Sequence, residues 1–288
     1  MDLFAQLLAN GLGNGSFYAL LGLGFGLIFS TTRIVHFAYG PVFAVGAYTT
    51  WIAGAIGVPL VLSAPLAPLA SAALGGLLYW LACRPFELRG MSSHSVLILS
   101  LALSIVMESS LTLIFGPRIH AFPNFSAAIV ILGPIYVTSL QIAQTIALVV
   151  IACGLFLFLR HTRYGNAILA LGDSRDMARI IGIDTDKVSV IVFAIGSAIS
   201  AVAAVFMLLN EGATPTMGFY PVFVAFVVAV VGGLGSIPGS IAGGYLVGLI
   251  ESLGLWKIPT EWQNSIAFVL LFLVLLIRPQ GLFAGAQR

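Results

Sequence analysis

Two carboxylates stand where acids are costly. Glu108 lies inside the apolar run Ser95–Phe115, and Glu251 inside the run that ends at Trp256. An ionisable side chain at the centre of a membrane helix costs at least about 2.5–3.5 kcal/mol on insertion scales, so it faces a bundle interior, water or a polar partner. Three chemistries fit such a group: a polar transit route, a proton site, or a hydrogen bond between subunits. Glu251, close to Trp256 at an interface, reads as structural, while Glu108 stays open among the three. Asn14, Ser16 and Tyr18 bring milder polarity to the first apolar run. The residues support little other chemistry. There is no G-x-x-x-x-G-K-[ST] loop to cradle a nucleotide and no H-E-x-x-H to hold zinc. His36, His94, His120 and His161 are scattered over loops and are expected at solvent or lipid headgroups. Cys83 and Cys153 lack metal-ligand spacing and read as small buried apolar residues. No catalytic, cofactor or metal site is expected in this chain.

The elements that must position these residues follow from composition. The 288 residues are 60% hydrophobic and only 8% charged, with a mean hydropathy of +1.10. Soluble domains carry about 25% charged residues, so a water-soluble enzyme is excluded. With 12 Lys+Arg against 10 Asp+Glu, no basic face is left for nucleic acid. The apolar runs are too long for the strands of about 10 residues that build a membrane barrel. The expected fold is therefore an all-α integral membrane protein, a polytopic bundle of transmembrane helices.

A helix needs about 20 apolar residues to cross a bilayer. Candidate runs are Leu3–Phe29, Gly40–Gly57, Leu60–Cys83, Ser95–Phe115, Val137–Leu159, Val188–Leu209, two short helices between Phe219 and Trp256, and Asn264–Ile277. That makes nine crossings, or eight if one short piece is re-entrant. Met1-Asp2-Leu3 lacks the basic start of a secretory signal, so the first run is expected to be a retained helix. Arg33, Arg84, Arg89, Arg160, Arg163, Arg175, Arg179, Lys187, Arg278 and Arg288 all fall on one side of a nine-crossing chain, leaving Arg118 and Lys257 on the other. Positive residues near span ends stay in the cytoplasm. The N-terminus is then outside and the C-terminus inside.

Within this frame the chain reads as one transmembrane domain over residues 1–288, with residues 160–187 as a charged cytoplasmic loop. In that loop Ser174–Ile181 is expected to form a short surface helix, with Asp173 or Ser174 as N-cap and Gly182 as its stop. The outer loop Gly116–Tyr136, with three prolines, is expected to hold a hairpin or an irregular cap. Glycines four apart, at Gly11/Gly15, Gly22/Gly26, Gly239/Gly243 and Gly244/Gly248, make flat stripes that read first as helix packing. The interruption Gly232-Gly233-Leu234-Gly235-Ser236-Ile237-Pro238-Gly239 has two readings. It is a tight cytoplasmic hairpin, or a broken helix whose Gly232, Gly233 and Gly235 border a transit route together with Asn14, Ser16, Tyr18 and Glu108.

Long strings of the sequence resemble a known family, the permease subunits of branched-chain amino acid ATP-binding-cassette (ABC) importers, specifically the H-type member of a two-permease complex. The resemblance runs through NGLGNGSFYALLGLGFGLIFSTTRIVHFAYG (Asn10–Gly40), Cys83-Arg84-Pro85-Phe86 and RYGNAILALGDSRDMARIIGIDTDKV (Arg163–Val188). It continues through Pro215–Phe219 and VVGGLGSIPGSIAGG (Val230–Gly244) to Arg278-Pro279-Gln280-Gly281-Leu282-Phe283. One turn departs: the family usually has Asn and His where this chain has His36 and Tyr39. The resemblance implies a transport subunit of the bacterial inner membrane without its own ATPase site, ATP being used by partner subunits. The implied partners are a second permease chain, two cytoplasmic ATPases, an external binding protein and membrane lipid. It also implies that Asp173, Ser174, Arg175, Asp176, Ala178, Gly182 and Ile183 form the helix that couples to the ATPase, with Ile180 and Ile183 as its apolar anchor. The implied cargo is a branched-chain amino acid. Urea, short amides or aromatic acids are alternatives on the same architecture, and an ion-coupled secondary transporter is the alternative of a different class.

Overall fold

The computed structural model describes residues 2–91, 93–123, 125–133, 135–233, 236–259, 262–278 and 281–282. Met1, Leu234, Gly235, Pro279, Gln280, Phe283 and Arg288, named above, lie outside the described residues. Each of the nine expected apolar segments is helical. The chain runs α1 (Asp2–Thr32), α2 (Tyr39–Ala55), α3 (Leu60–Ser63), α4 (Leu66–Leu78), a π-helical turn (Tyr79–Cys83), α5 (Arg84–Leu88) and α6 (Ser93–Phe115). A hairpin of β1 (Ile129–Leu132) and β2 (Ile135–Thr138) follows, then α7 (Ser139–His161), α8 (Arg163–Asp173), α9 (Arg175–Ile180) and α10 (Thr185–Glu211). The last helices are α11 (Phe219–Gly232), α12 (Ile237–Gly254) and α13 (Gln263–Ile277).

How many of these cross a bilayer is a question of length. Among the described residues five helices are long and apolar enough alone: Leu3–Thr32, Leu60–Leu88, His94–Phe115, Ser139–His161 and Thr185–Glu211. The pair α11–α12, bent by 116°, brings a sixth if taken as one span. Helices α2, with 17 residues, and α13, with 15, are shorter.

The shortness of α2 and α11 has a common cause. After α1 the chain reverses at Arg33, the one described non-glycine residue with positive φ (57°). It then re-enters the bundle, and the Tyr39 hydroxyl donates to the Leu21 carbonyl at 3.0 Å. Leu21 lies eleven residues, or about 16 Å, back from the end of α1. Non-helical backbone inside a bundle must find partners. Here Ser100 Oγ accepts from Phe37 N–H at 3.2 Å and donates to the Leu97 carbonyl at 2.8 Å. From the other side, residues 212–218 lead into α11, tied to the loop after α6 by mutual His120–Ala213 backbone bonds of 2.9 and 2.8 Å. The two re-entrant segments meet where Gly40 packs on Gly218. A Cβ at Gly40 would lie 2.6 Å from the Gly218 carbonyl oxygen, so neither position has room for a side chain.

Helix α1 is the axis of the bundle, with 78% of its most apolar window buried, whereas α6, at 11%, spends its apolar surface outward. The glycine stripes serve packing, as expected. A Cβ at Gly248 would fall 2.6 Å from the Gly15 Cα, and one at Gly15 would fall 2.9 Å from the Tyr245 Cα. Tyr39, Tyr48, Tyr79, Phe25, Phe43 and Phe193 fill the core. The loop after α6 forms the β1–β2 hairpin, in register Ile129↔Thr138 to Leu132↔Ile135. Thr138 closes it onto α7 with a capping box to Gln141.

The histidine expectation needs correction. His36 is fully buried, its ring 4.8 Å from that of Phe193, because it sits on the re-entrant segment. His120 is half-buried with its ring 4.2 Å from Trp51. Of the four histidines only His94 and His161 are exposed. The cysteine expectation holds for Cys83, which is buried, and is corrected for Cys153, which lies exposed on α7.

Candidate functional site

Two cavities lie on α1, one toward each end of the bundle. The first, of about 450 Å³, opens at the basic end. Gly26, Ser30, Arg33, Arg160, Asp173 and Ser236 are among its walls. The second, of about 510 Å³, opens at the opposite end between α1, α7, α10, α11 and α13. Asn14, Tyr18, Asn210, Glu211, Tyr220 and Gln263 give it a polar lining, with Phe17, Phe206 and Met207 as apolar wall. Beside the second cavity α1 is joined to α7 and α12. Ser16 is fully buried, and its hydroxyl lies 2.9 Å from that of Thr145 and 3.0 Å from that of Tyr245.

Of the sequence-chosen route residues, the structure brings Asn14 and Tyr18 together in the second cavity. Ser16 is instead a joint between α1, α7 and α12. Glu108 lines neither large cavity. It is half-buried beside a small crevice of about 40 Å³ at the Gly40–Gly218 contact, shared with Ser104. Gly232 packs against the Gly239 backbone, Gly233 turns the chain at φ 95°, and Ser236 caps α12 by accepting from Gly239 N–H at 3.0 Å. Ser236, Ile237 and Pro238 then face the first cavity, so the hairpin geometry and the cavity border occur in one segment.

Glu251 is fully buried. Its Oε1 accepts from the Tyr220 hydroxyl at 3.0 Å, and that hydroxyl lies 3.3 Å from the Tyr18 hydroxyl. Sequence reading did not single out Tyr220, Asn210, Glu211 or Gln263. They sit at helix ends on separate elements, and a linear pattern gives no sign that these ends converge.

At the basic end a short helix forms where the sequence expects one. Ser174, not Asp173, is the N-cap of α9, accepting from Met177 N–H at 3.4 Å. Gly182 ends it with φ 85°, a left-handed position that glycine takes at little cost. Arg175 turns inward. It donates to Glu87 Oε2 at 2.6 Å and Oε1 at 3.0 Å, while the Tyr79 hydroxyl donates to Glu87 Oε2 at 2.9 Å. Burial works against the Arg175 charge, but the bonds and charge of Glu87 outweigh it and hold the guanidinium above its ordinary pKa. Ala178 faces the protein's own core. Ile183, expected as an anchor, follows the turn at Gly182 and packs half-buried against the bundle. The outward surface of α9 and its following turn carries Met177, Ile180 and Ile181, 64%, 76% and 71% exposed, beside the exposed Asp176 and Arg179. Asp184 caps the next helix, α10, and pairs with Lys187 at 2.9 Å; that side-chain bond holds its carboxyl below the usual carboxylate range.

Comparison with known proteins places these features in context. Residues 7–275 match the family model described as branched-chain amino acid transport system / permease component. The chain is 32% identical to the high-affinity branched-chain amino acid transport system permease protein BraD of Pseudomonas aeruginosa, over 99% of this chain and 97% of that one. It is 32% identical to the corresponding LivH protein of Escherichia coli K12, over 99% and 96% of the two chains. In fold it is similar to PsaBC from Streptococcus pneumoniae solved with a Fab, with a TM-score of 0.53 and 14% identity, over 95% of this chain and 92% of that one.

Proposed function

The chain belongs to the permease family of branched-chain amino acid transport systems, and on that premise we propose how its parts divide the work. It is a multi-pass inner-membrane transport subunit of an ABC importer rather than an ATP-hydrolysing enzyme, and its family works with ATPase and binding-protein partners. Our reading gives it a different permease chain as neighbour, two cytoplasmic ATPases and one external binding protein. ATP is consumed by the ATPases alone. The cargo is a branched-chain amino acid moving along the interface between the two permeases.

The orientation follows from charge. The end bearing α8, α9 and most Arg and Lys faces the cytoplasm, and the hairpin with Arg118 and Lys257 faces outward. The binding protein docks on the outer loops. The ATPase receives the apolar surface of Met177, Ile180 and Ile181. That surface is the observation that carries the assignment. Three large exposed apolar side chains stand on the capped helix α9 and its following turn, at the charged end. ATP-driven closure of the ATPases pulls α9, and the bundle rocks between its outward- and inward-open states.

The experiment is co-purification from detergent-solubilised membranes, followed by ATPase assays with and without binding protein and leucine. Hydrolysis stimulated by loaded binding protein is the expected result. A preparation that moves leucine with no associated ATPase would sink the proposal in favour of an ion-coupled carrier.

A further inference from the structure

The outer cavity carries a chemical signature beyond the family role. Its volume of about 510 Å³ lies within the 300–1,000 Å³ common for small-molecule sites. Among the described lining residues there is no Lys, Arg or His. The polar groups are amides and hydroxyls, and the one charged wall residue is Glu211. Behind the wall stands a second carboxylate. Glu251 is fully buried, and its Oε2 lacks a hydrogen-bond partner of good geometry among the described residues, with the Tyr18 and Gln263 side chains beside the carboxyl. Its Oε1 is joined to the cavity through Tyr220, whose hydroxyl lies 3.3 Å from that of Tyr18 on the facing helix. Burying a carboxylate is costly unless something pairs with it, and no Lys, Arg or His among the described residues lines the cavity beside it.

We propose that this cavity is a recognition site for the ammonium group of the transported amino acid, with Glu251 acting through Tyr220 and Tyr18, and Glu211 at the rim. The proposal rests on the importer reading above and adds to it which end of the cargo this chain recognises. Tyrosine hydroxyls accept from the ammonium while the two carboxylates supply its counter-charge. Phe17, Phe206 and Met207 offer an apolar wall for a branched side chain. A free carboxylate such as a deaminated amino acid finds no positive group in the lining, and a neutral amide gains nothing from the two acids.

The test uses the intact importer in proteoliposomes, with Met207→Cys as reporter in a chain whose exposed Cys153 is changed to Ala; Cys83 is buried. The probes are a cationic and an anionic methanethiosulfonate, with rates normalised to a free thiol. The cationic reagent should react roughly tenfold faster, at the low end of charge focusing in clefts. Glu251→Gln should collapse that ratio, and Tyr220→Phe, which removes only the hydroxyl, should lower it. Leucine should slow modification, and 4-methylpentanoate, which is leucine without its amino group, should not. Equal rates for the two reagents, a ratio unchanged in both variants, or equal protection by 4-methylpentanoate would overturn the site. Leucine uptake without ATP, with the charge preference intact, would instead overturn the importer reading and leave the site standing.

Discussion

Arg175 in the first turn of α9 holds Glu87 in α5 through two hydrogen bonds, at 2.6 and 3.0 Å. The same carboxylate accepts from Tyr79, which opens the π-helical turn and whose ring lies 5.0 Å from Phe193 of α10. The proposed ATPase-docking helix is therefore fastened to the bundle by a half-buried ion pair. π-helical turns are rare and concentrate at functional positions. A displacement of α9 reaches Tyr79 through a single side chain.

Breaking this link should cost both stability and coupling. Removal of a hydrogen-bonded charge partner costs about 1.5–3 kcal/mol. Arg175→Ala and Glu87→Gln should each lower thermal stability in detergent by that order and raise the ATP hydrolysed per leucine imported. The exchanged pair Glu87→Arg with Arg175→Glu should recover part of both. If the double exchange is as poor as the sum of the single changes, the two residues do not act as a pair.

The outward face of α9 should behave differently. Ile180→Ser and Met177→Ser expose no core, so thermal stability of the isolated chain should stay within about 0.5 kcal/mol of the parent. ATPase retention on co-purification should fall steeply. Ala178→Asp, at a buried position, should instead destabilise the fold. Full ATPase retention in an Ile180→Ser, Met177→Ser double variant would place the docking surface elsewhere.

Asp184 offers a pH test. Its carboxyl is held below the usual range by Lys187, so its folded pKa lies under its unfolded one. The stability it contributes is present above the ordinary carboxylate pKa and fades as pH falls through the depressed value. Asp184→Asn keeps the cap, since Asn is as good an N-cap as Asp, and loses only the charge. The variant should be less stable than the parent at pH 7 and converge with it on acidification. A constant difference across pH 3–7 would mean that the charge plays no part.

Helix α1 is predicted to tolerate no added methyl where α12 crosses it. A Cβ at Gly248 would meet the backbone of Gly15. Overpacking of this kind costs about 1–3 kcal/mol. Gly248→Ala should lower the unfolding temperature, whereas Gly154→Ala, at a site with open space, should not. Equal tolerance at the two sites would argue against the α1–α12 contact.

The sequence by itself determined what composition and local pattern can encode. Apolar runs marked the helices, and clustered Arg and Lys marked the charged end. Ser174 and Gly182 bounded α9, because capping and left-handed turns are local properties. Pro-rich Gly116–Tyr136 was legible as a hairpin or an irregular cap, and the glycine stripes were legible as packing faces.

What only the tertiary structure decided depends on convergence between distant segments. Nothing local distinguishes Ser16, a buried joint, from Tyr18, a cavity wall two residues on. Their roles are set by Thr145, Tyr245 and Tyr220 on other helices. Glu87 and Arg175 are 88 residues apart and meet only because α5 and α9 fold to the same end. His36 looked like a loop residue, and the loop turns out to lie inside the bundle. Its backbone is satisfied there by Ser100, a partner that no periodicity in residues 33–38 could announce. Periodicity fixes which face of a helix is apolar; which helix meets that face, and where two broken segments such as those at Gly40 and Gly218 touch, is settled by packing in three dimensions.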